Sequence, residues 1–296
     1  VPTKKVVGTI LPFRVIVDIC RLGIAPLVEY LGIKTKHEAE NSIDRGNFFD
    51  EAPTRRGIMN IIPPLFLFFA QFRSGIIGAA GNHFLDLMKV IEVVDPVVAA
   101  KFNLRKGQYI LMVHCGSGIL GQYTMYMFTA KKREHLSTAI LMNIGRFFWF
   151  TPFKNTVRMI AEKIRASDFG KAEPLITFDG DGEDGRLYMA ARRACSNFAH
   201  ANRATITHNF ISTAESVLGR PIEADLLYDM PHILVSEEEH YGKNLWVHRN
   251  GTSRAYGPSR MATHPLFRET GEPAFIPTSM STEAYLCVGQ DGNDTS

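Results

Sequence analysis

The clearest hydrophobic pattern in the chain is a short apolar run, GQYILMVH at 107–114, with a glycine at its start and another soon after it. Such a run predicts a buried β-strand that ends at His114. The segment MKVIEV at 88–93 predicts a second strand, and the Val- and Ile-rich runs on either side of Gly8 and Pro12 predict a β-hairpin over residues 1–20. After Pro221 the chain is rich in predicted strands, in HILVSEE, NLWVHRNGTSRAY, PAFIPTSM and EAYLCVG.

Helical spacing of apolar residues is longest at 185–219, where Gly219, Arg220 and Pro221 supply a stop. Shorter helices are predicted in APLVEYLG at 25–32 and in YTMYMFTAKKREHL at 123–136, whose basic end suits a helix C-terminus. The chain has no internal repeat and no low-complexity linker. These patterns favour the α+β class, with a single mixed α/β domain over residues 1–296.

Composition adds three constraints. The most apolar run, IMNIIPPLFLFFAQF, is broken by Pro63 and Pro64 and is shorter than the roughly 20 residues that span a bilayer. The four cysteines are widely separated, which predicts a reducing compartment, and we expect the cytoplasm. A net charge of +3 permits an anionic partner without requiring one.

Three histidines, His83, His114 and His232, lie at the ends of predicted strands or in glycine-rich turns. Imidazole, thiolate and carboxylate groups are the usual ligands of manganese, zinc and related ions, and one site can draw them from distant positions. Asp18 and Cys20 follow the first predicted strand and are further candidates. The alternative is that all five are ordinary surface or core residues. Metal ligands so dispersed leave no spacing signature, so the local sequence does not decide between the two interpretations.

Two glycine-rich segments, GAAGNHFLDL at 78–87 and HCGSGILGQ at 114–122, flank the predicted strands. Free backbone N–H groups at a helix N-terminus can hold an oxyanion, although a plain strand-to-helix turn explains the second segment equally well. Neither segment is a Walker A motif. The acidic stretch DGDGEDG at 179–185 is not an EF-hand, because Ala190 stands where a bidentate Glu is needed.

Four motifs in the same order resemble those of the RtcB-type RNA ligases, the tRNA-splicing ligase family. They are GIIGAAGNHFLD from Gly75, HCGSGILG from His114, ACSNFAHANR from Ala194, and the late block WVHRNGTSRA followed by FIPTSMSTEAYLCVG. The resemblance covers nearly the whole chain. It implies an RtcB-like fold, with strands around a dinuclear metal site.

The resemblance also implies a reaction. In that family two Mn²⁺ ions and GTP serve to join an RNA 3′-phosphate or 2′,3′-cyclic phosphate end to a 5′-hydroxyl end, in tRNA splicing or RNA repair. A histidine takes up GMP from GTP and passes it to the RNA 3′-phosphate. Divalent ions suit such a displacement because they neutralise phosphate oxygens. RNA, with tRNA foremost, is the implied partner, and an activating protein partner is compatible with the resemblance.

The site residues follow from the same resemblance. It implies metal ligands at Asp18, Cys20, His83, His114 and His232. It implies a nucleotide site formed by Asn82, His83, Phe84, Asp86, His232, Pro277, Thr278, Ser279 and Met280. Asn82 would hold a phosphate near the metals, and residues 277–280 would pack around the guanine.

Several positions depart from the family pattern. Asp18 and Cys20 are separated by one residue instead of two, and Gly118 stands where the family carries arginine. Further departures are Asp86 for Glu, Asn250 for Lys, Ile233 for Asn and Thr278 for Gly. The nucleophilic histidine is expected beyond Ser296, so we expect this chain alone to be inactive.

These departures leave two alternatives to the ligase. One is a catalytically inactive RtcB-like module that binds metal or RNA. The other is a metal-dependent phosphatase or nuclease that uses the same ligands, although no residue is marked out as its hydrolytic base.

Overall fold

The computed structural model describes residues 8–78, 82–128, 177, 179–279 and 281–292. Met280 and the basic end of the helix predicted after Tyr123 lie outside these ranges. The chain divides into two compact units, residues 1–121 with 189–296, and residues 122–188. Every candidate site residue that the structure describes lies in the first unit.

The secondary structure is mixed and confirms the α+β class. The helices are α1 (Phe13–Leu22), α2 (Ala25–Leu31), α3 (Arg55–Ile61), α4 (Pro64–Gln71), α5 (Pro96–Lys101), α6 (Ile119–Phe128), α7 (Glu183–Leu218) and α8 (Phe267–Thr270). The strands are β1 (Thr35–Lys36), β2 (Phe84–Lys89), β3 (Tyr109–His114), β4 (Ala224–Asp225), β5 (Ile233–His240), β6 (Lys243–Asn250), β7 (Pro273–Ile276) and β8 (Tyr285–Val288). Among the described helices, none is both long and apolar enough to cross a bilayer.

Within the described ranges the strands form four two-stranded sheets. β2 pairs with β3, β5 with β6 and β7 with β8, all antiparallel, whereas β1 pairs with β4 in parallel. The β5–β6 hairpin closes through Tyr241 and Gly242, whose φ values of 55° and 70° are the left-handed pair that a tight hairpin turn requires.

Two strand predictions are wrong. The predicted hairpin over residues 1–20 is instead occupied by α1 from Phe13 onward, because Ile16, Val17, Ile19 and Cys20 share one buried helix face. Burial of that face outweighs the β-propensity of its valines and isoleucines. The strand predicted at 88–93 instead runs from Phe84 to Lys89. Its ladder with β3 ends there because the N–H of Val90 donates to the Gln108 carbonyl and the Val90 carbonyl accepts from the N–H of Gly107, both in the turn before β3.

Helix α7 supplies much of the core of the first unit. Its fully buried positions recur at alternating spacings of three and four residues, which is one helix face: Ala191, Ala194, Phe198, Ala201 and Thr205. Asn197 is also buried, and its side chain donates to the carbonyl of Cys20 at 3.1 Å and accepts from the N–H of Phe48 at 2.9 Å. The helix therefore fixes α1 and the 47–48 segment through hydrogen bonds as well as packing.

A second cluster surrounds Phe267, which packs edge-on against Tyr228 with ring centroids 5.1 Å apart. Beside it the fully buried Glu272 accepts hydrogen bonds from the Tyr228 hydroxyl, from the Arg254 guanidinium and from the N–H of Tyr256. Arg254 also reaches Asp44 at 3.2 Å. This cluster joins the chain around residue 44 to the segments that precede and follow α8.

Candidate metal and nucleotide site

Three histidines that are far apart in sequence meet at one end of the β2–β3 pair. The strand register places Phe84 opposite His114, and their ring centroids are 5.0 Å apart. The His114 ring lies 5.7 Å from that of His83 and 4.6 Å from that of His232. His83 immediately precedes β2, His114 ends β3 and His232 immediately precedes β5. The structure therefore brings together the three imidazoles singled out in the sequence.

Within the described ranges, no hydrogen bond engages the ring nitrogens of this imidazole cluster (His83, His114 and His232). Nδ1 of His83 is buried without a hydrogen-bond partner. Gly78 lies against it, and a Cβ atom at Gly78 would come within 2.3 Å of this nitrogen. Among the described residues, no hydrogen bond engages the rings of His114 or His232 either. Glycine at position 78 thus leaves room for the ring, which explains one glycine of the GAAGNHF segment.

The surroundings of His114 and His232 favour neutral rings. Burial, helped by the neighbouring His232 and His83, lowers the pKa of His114 to about 4. Burial likewise lowers the pKa of His232, with the charge of Arg203 acting in the same direction. A neutral imidazole with a free lone pair is the form that binds a divalent metal ion. The donor chemistry of the cluster therefore fits a metal.

Helix α7 holds the backbone on which the cluster stands. The Asn202 side chain donates to the carbonyl of Gly116 at 3.0 Å and to the sulfur of Cys115 at 3.3 Å. Its oxygen accepts from the N–H of Gly75 at 2.8 Å. One buried amide therefore ties the turn after β3 to the start of the glycine-rich segment that carries His83.

Arg203, the next residue of α7, acts in a similar way. Its guanidinium donates to the Cys115 carbonyl at 2.9 Å and to Asp229 at 2.6 Å. Asp229 also shares a 2.6 Å hydrogen bond with Nδ1 of His200. Burial alone would raise the pKa of Asp229, but Arg203 and His200 outweigh it and hold that pKa well below its ordinary value. The ion pair of Arg203 with Asp229 is therefore a fixed support next to His114.

Sequence reasoning gave no role to His200, Asn202, Arg203 or Asp229. The signal for the first three was present in ACSNFAHANR, which served only to establish the resemblance. Asp229 carried no signal, because nothing near it in sequence resembles a motif.

Among the described residues, no hydrogen bond or charge interaction joins Asp18 or Cys20 to the imidazole cluster. They lie on helix α1, not after a strand, and Asp18 accepts two hydrogen bonds from Arg55 at 2.7 and 2.8 Å. Cys20 is fully buried, and burial raises the pKa of its thiol, which disfavours the thiolate that binds metals. In the described part of the chain no three His, Cys, Asp or Glu side chains, those of the imidazole cluster included, stand in the geometry of a metal site. The cluster therefore supplies the ligand type, and its rings would have to turn toward one another to share an ion.

The nucleotide candidates fall in two places. Asn82, Phe84 and Asp86 lie at or beside the cluster end of β2, where Phe84 and Asp86 share the strand face that carries His114. Pro277, Thr278 and Ser279 form an exposed turn after β7, in which the Thr278 hydroxyl donates to the carbonyls of Thr282 and Glu283. Among the described residues, no hydrogen bond or ring contact joins that turn to the imidazole cluster.

Comparison with known proteins gives a consistent family. The family model described as "tRNA-splicing ligase RtcB" matches residues 71–296. The chain is 32% identical over 227 residues to a tRNA-splicing ligase RtcB of Pyrococcus horikoshii, covering 74% of this chain and 23% of that protein. It is 32% identical over 224 residues to that of Archaeoglobus fulgidus, covering 73% and 41%. An RNA-splicing ligase RtcB of Mycobacterium bovis is 29% identical over 225 residues, covering 74% and 45%.

The chain thus spans less than half the length of these curated relatives. The matched range begins at residue 71, so it includes His83, His114 and His232 but neither Asp18 nor Cys20. The imidazole cluster and its supports from α7 all lie within that range. With the family model matching about three quarters of the sequence, the chain belongs to the RtcB family.

Proposed function

We propose that this chain is part of an RNA ligase that acts in tRNA splicing or RNA repair, and that it uses GTP and Mn²⁺ to join a 3′-phosphate or 2′,3′-cyclic phosphate end to a 5′-hydroxyl end. The observation that carries the proposal is the convergence of His83, His114 and His232, with unengaged ring nitrogens, inside the range that matches the family. The relatives named as tRNA-splicing ligases support the reaction class.

In this proposal the three imidazoles hold the metal, and the protein keeps them in place. Bound Mn²⁺ would neutralise phosphate oxygens and orient the reacting RNA ends. Arg203 and Asn202 fix the backbone at Cys115 and Gly116, next to His114. Burial keeps the rings of His114 and His232 unprotonated at neutral pH. The proposal assigns no nucleophile to these 296 residues.

The nucleotide would lie beside the same cluster. Asn82 precedes His83 in the chain, Phe84 of β2 is paired with His114 of β3, and Asp86 lies two residues further along β2. The exposed turn at Pro277–Ser279, with Met280, would contact the guanine.

Metal binding is the first test. We expect the 296-residue chain to bind Mn²⁺, measured by loss of the electron paramagnetic resonance signal of the free ion. His114→Ala should weaken binding at least tenfold, which is on the order of losing one ligand or its orienting partner. His248→Ala is the matched control, because His248 is an exposed histidine on β6 outside the cluster. Equal affinities for both variants would contradict the assignment.

Joining is the second test. An RNA with 3′-phosphate and 5′-hydroxyl ends, incubated with GTP and Mn²⁺, should be sealed by the longer protein that contains this chain. His114→Ala should abolish sealing and His248→Ala should not.

A second candidate function, a non-catalytic module that binds metal or RNA, is favoured by one observation. Gly118 replaces the arginine of the family pattern, and its left-handed φ of 55° is a conformation that side chains rarely adopt. Binding of Mn²⁺ and RNA without sealing would support this candidate against the ligase.

A further inference from the structure

A cationic cleft lies in the first unit at the end of the β2–β3 pair opposite the imidazole cluster. Its volume is about 650 Å³. One wall is the turn 105–109 that leads into β3, and the other is the segment 220–223 that follows α7. Both walls are exposed to solvent, so a large ligand can reach them.

The charges of this cleft are strongly unbalanced. Arg105, Lys106 and Arg220 line it, with Glu223 as the carboxylate among the lining residues. In the part of the chain that the structure describes, none of the three cations forms an ion pair. Lys89 adds a fourth cation from β2, with its Nζ atom 6.0 Å from the centre of the Tyr109 ring. Unpaired cations at this density indicate an anionic ligand.

The backbone presents these cations from fixed positions. The turn at 105–108 is closed by the Gly107 N–H, which donates to the Val90 carbonyl at 2.8 Å, and Gly107 has a φ of 88° that suits glycine alone. The Gln108 side chain accepts from the N–H of Arg105 at 3.1 Å. On the other wall, Glu215 of α7 accepts from the N–H of Ile222 at 3.0 Å. The cleft is therefore built before any ligand arrives.

An exposed aromatic ring completes the cleft. The Tyr109 side chain lines it and is 64% exposed, although a buried position would be favourable for so large a ring. Proteins that bind single-stranded nucleic acid combine a cationic groove with aromatic rings on which bases stack. A cleft for an acidic peptide would have no use for the exposed ring.

A ligand that reaches both the cleft and the imidazole cluster has to be a polymer. Tyr109 and His114 are the two ends of β3, about 17 Å apart at roughly 3.4 Å per residue. Their side chains point to opposite faces of the strand pair, so one small molecule cannot contact both. We propose that this cleft binds a single-stranded segment of the RNA several nucleotides from the end that meets the imidazole cluster. The inference rests on the proposed function, which supplies RNA as the substrate.

The test is the binding of a fluorescein-labelled 20-nucleotide single-stranded RNA to the 296-residue chain, measured by anisotropy without GTP or metal. The triple variant R105Q/K106Q/R220Q should bind at least tenfold more weakly. The slope of log affinity against log salt should fall by about 2, since each neutralised phosphate contributes about 0.7 for a single strand. Tyr109→Ala should weaken binding roughly tenfold, as expected when one base loses its stacking partner, and Tyr109→Phe should not.

The matched control is R56Q/K243Q/R268Q, which removes the same number of exposed cations of the same types elsewhere on the surface. If this control weakens binding as much as the cleft variant does, net charge and not the cleft is responsible, and the inference is wrong. It is also wrong if a glutamate-rich peptide of equal charge displaces the RNA as well as unlabelled RNA does.

The design separates this inference from the proposed function. His248→Ala, which lies outside both the cleft and the imidazole cluster, should leave RNA binding and sealing unchanged. If the longer protein seals RNA but R105Q/K106Q/R220Q binds RNA normally, the ligase stands and the cleft inference fails. If the cleft binds RNA as described but no sealing occurs, the inference stands and the ligase proposal fails.

Discussion

The fully buried carboxylate of Glu272 and the half-buried rings of the imidazole cluster differ in how their polar atoms are paired. Glu272 accepts from Tyr228, Arg254 and the backbone of Tyr256, so both of its oxygens are used. The rings of His83, His114 and His232 lie together, and among the described residues none of them donates to or accepts from another group.

The difference shows where the structure serves stability and where it serves binding. A buried polar atom without a partner costs about 1–3 kcal/mol, and a fold under no other constraint would pair it. Binding sites are the usual places where this rule is broken. The imidazole cluster therefore has the pattern of a ligand site, whereas the Glu272 cluster has that of a structural support.

Substitution of Glu272 should have the largest effect on folding. Glu272→Gln removes the charge that compensates the buried Arg254 guanidinium, and we expect a loss of about 3–5 kcal/mol in the free energy of unfolding. Denaturation in urea measures it. The double variant E272Q/R254M should recover part of the loss. An effect of Glu272→Gln below about 1 kcal/mol would contradict the role of Glu272 as a structural support.

Asp229→Asn should have the next largest effect and a distinct pH dependence. It weakens the hydrogen bonds that Asp229 shares with the Arg203 guanidinium and with His200, so we expect a loss of about 2–3 kcal/mol at neutral pH. The folded pKa of Asp229 lies below its ordinary value of 3.8, so its stabilising effect is complete above about pH 4. That effect is lost as the pH falls from there through the folded pKa.

The difference in unfolding free energy between the wild-type protein and Asp229→Asn should therefore shrink below about pH 4. Urea denaturation repeated from pH 7 to pH 3 checks the sign. A difference that widens in acid would contradict the ionised Asp229.

Gly78→Ala should separate binding from stability. The new Cβ would come within 2.3 Å of Nδ1 of His83, so the ring has to move. We expect Mn²⁺ affinity to fall at least tenfold, with a cost of only about 1 kcal/mol in the free energy of unfolding. Gly57→Ala is the control, because its Cβ would meet its nearest neighbours at 3.4 Å, an ordinary contact. A Gly78→Ala protein with unchanged Mn²⁺ affinity would exclude His83 from the metal site.

The smallest effect is expected at the exposed ion pair of Lys101 and Glu269. Lys101→Ser should leave the free energy of unfolding unchanged within error, since solvent screens such pairs. A clear loss would mean that exposed pairs support this fold as buried ones do.

Much of the fold could be predicted from local periodicity. The long helix α7 follows from its helical spacing, and β3 and the strand-rich region after Pro221 follow from short apolar runs bounded by turn residues. Helix α1 could not be predicted in this way, because its valines and isoleucines favour a strand. Its helical form depends on the core that covers Ile16 and Ile19.

In the candidate site, too, some features could be predicted from the sequence and others could not. His83, His114 and His232 are recognisable from motifs, but their convergence depends on the β2–β3 register and on the position of β5. The pairing of Arg203 with Asp229 spans 26 residues and no sequence pattern marks it. The proposed roles of Asp18 and Cys20 rested on a short local likeness, and that stretch lies outside the range that matches the family.

The parallel pairing of β1 with β4 has a consequence for how the chain is made. Asn41 donates to the carbonyl of Leu226, a residue 185 positions later, and the N–H of Ile43 reaches Asp229. At about 5–20 residues per second, a ribosome needs on the order of 10–40 s to synthesise the intervening chain. During that interval the 35–43 segment has none of these partners, so a nascent chain halted before residue 226 should be cleaved there by a protease that spares the finished molecule.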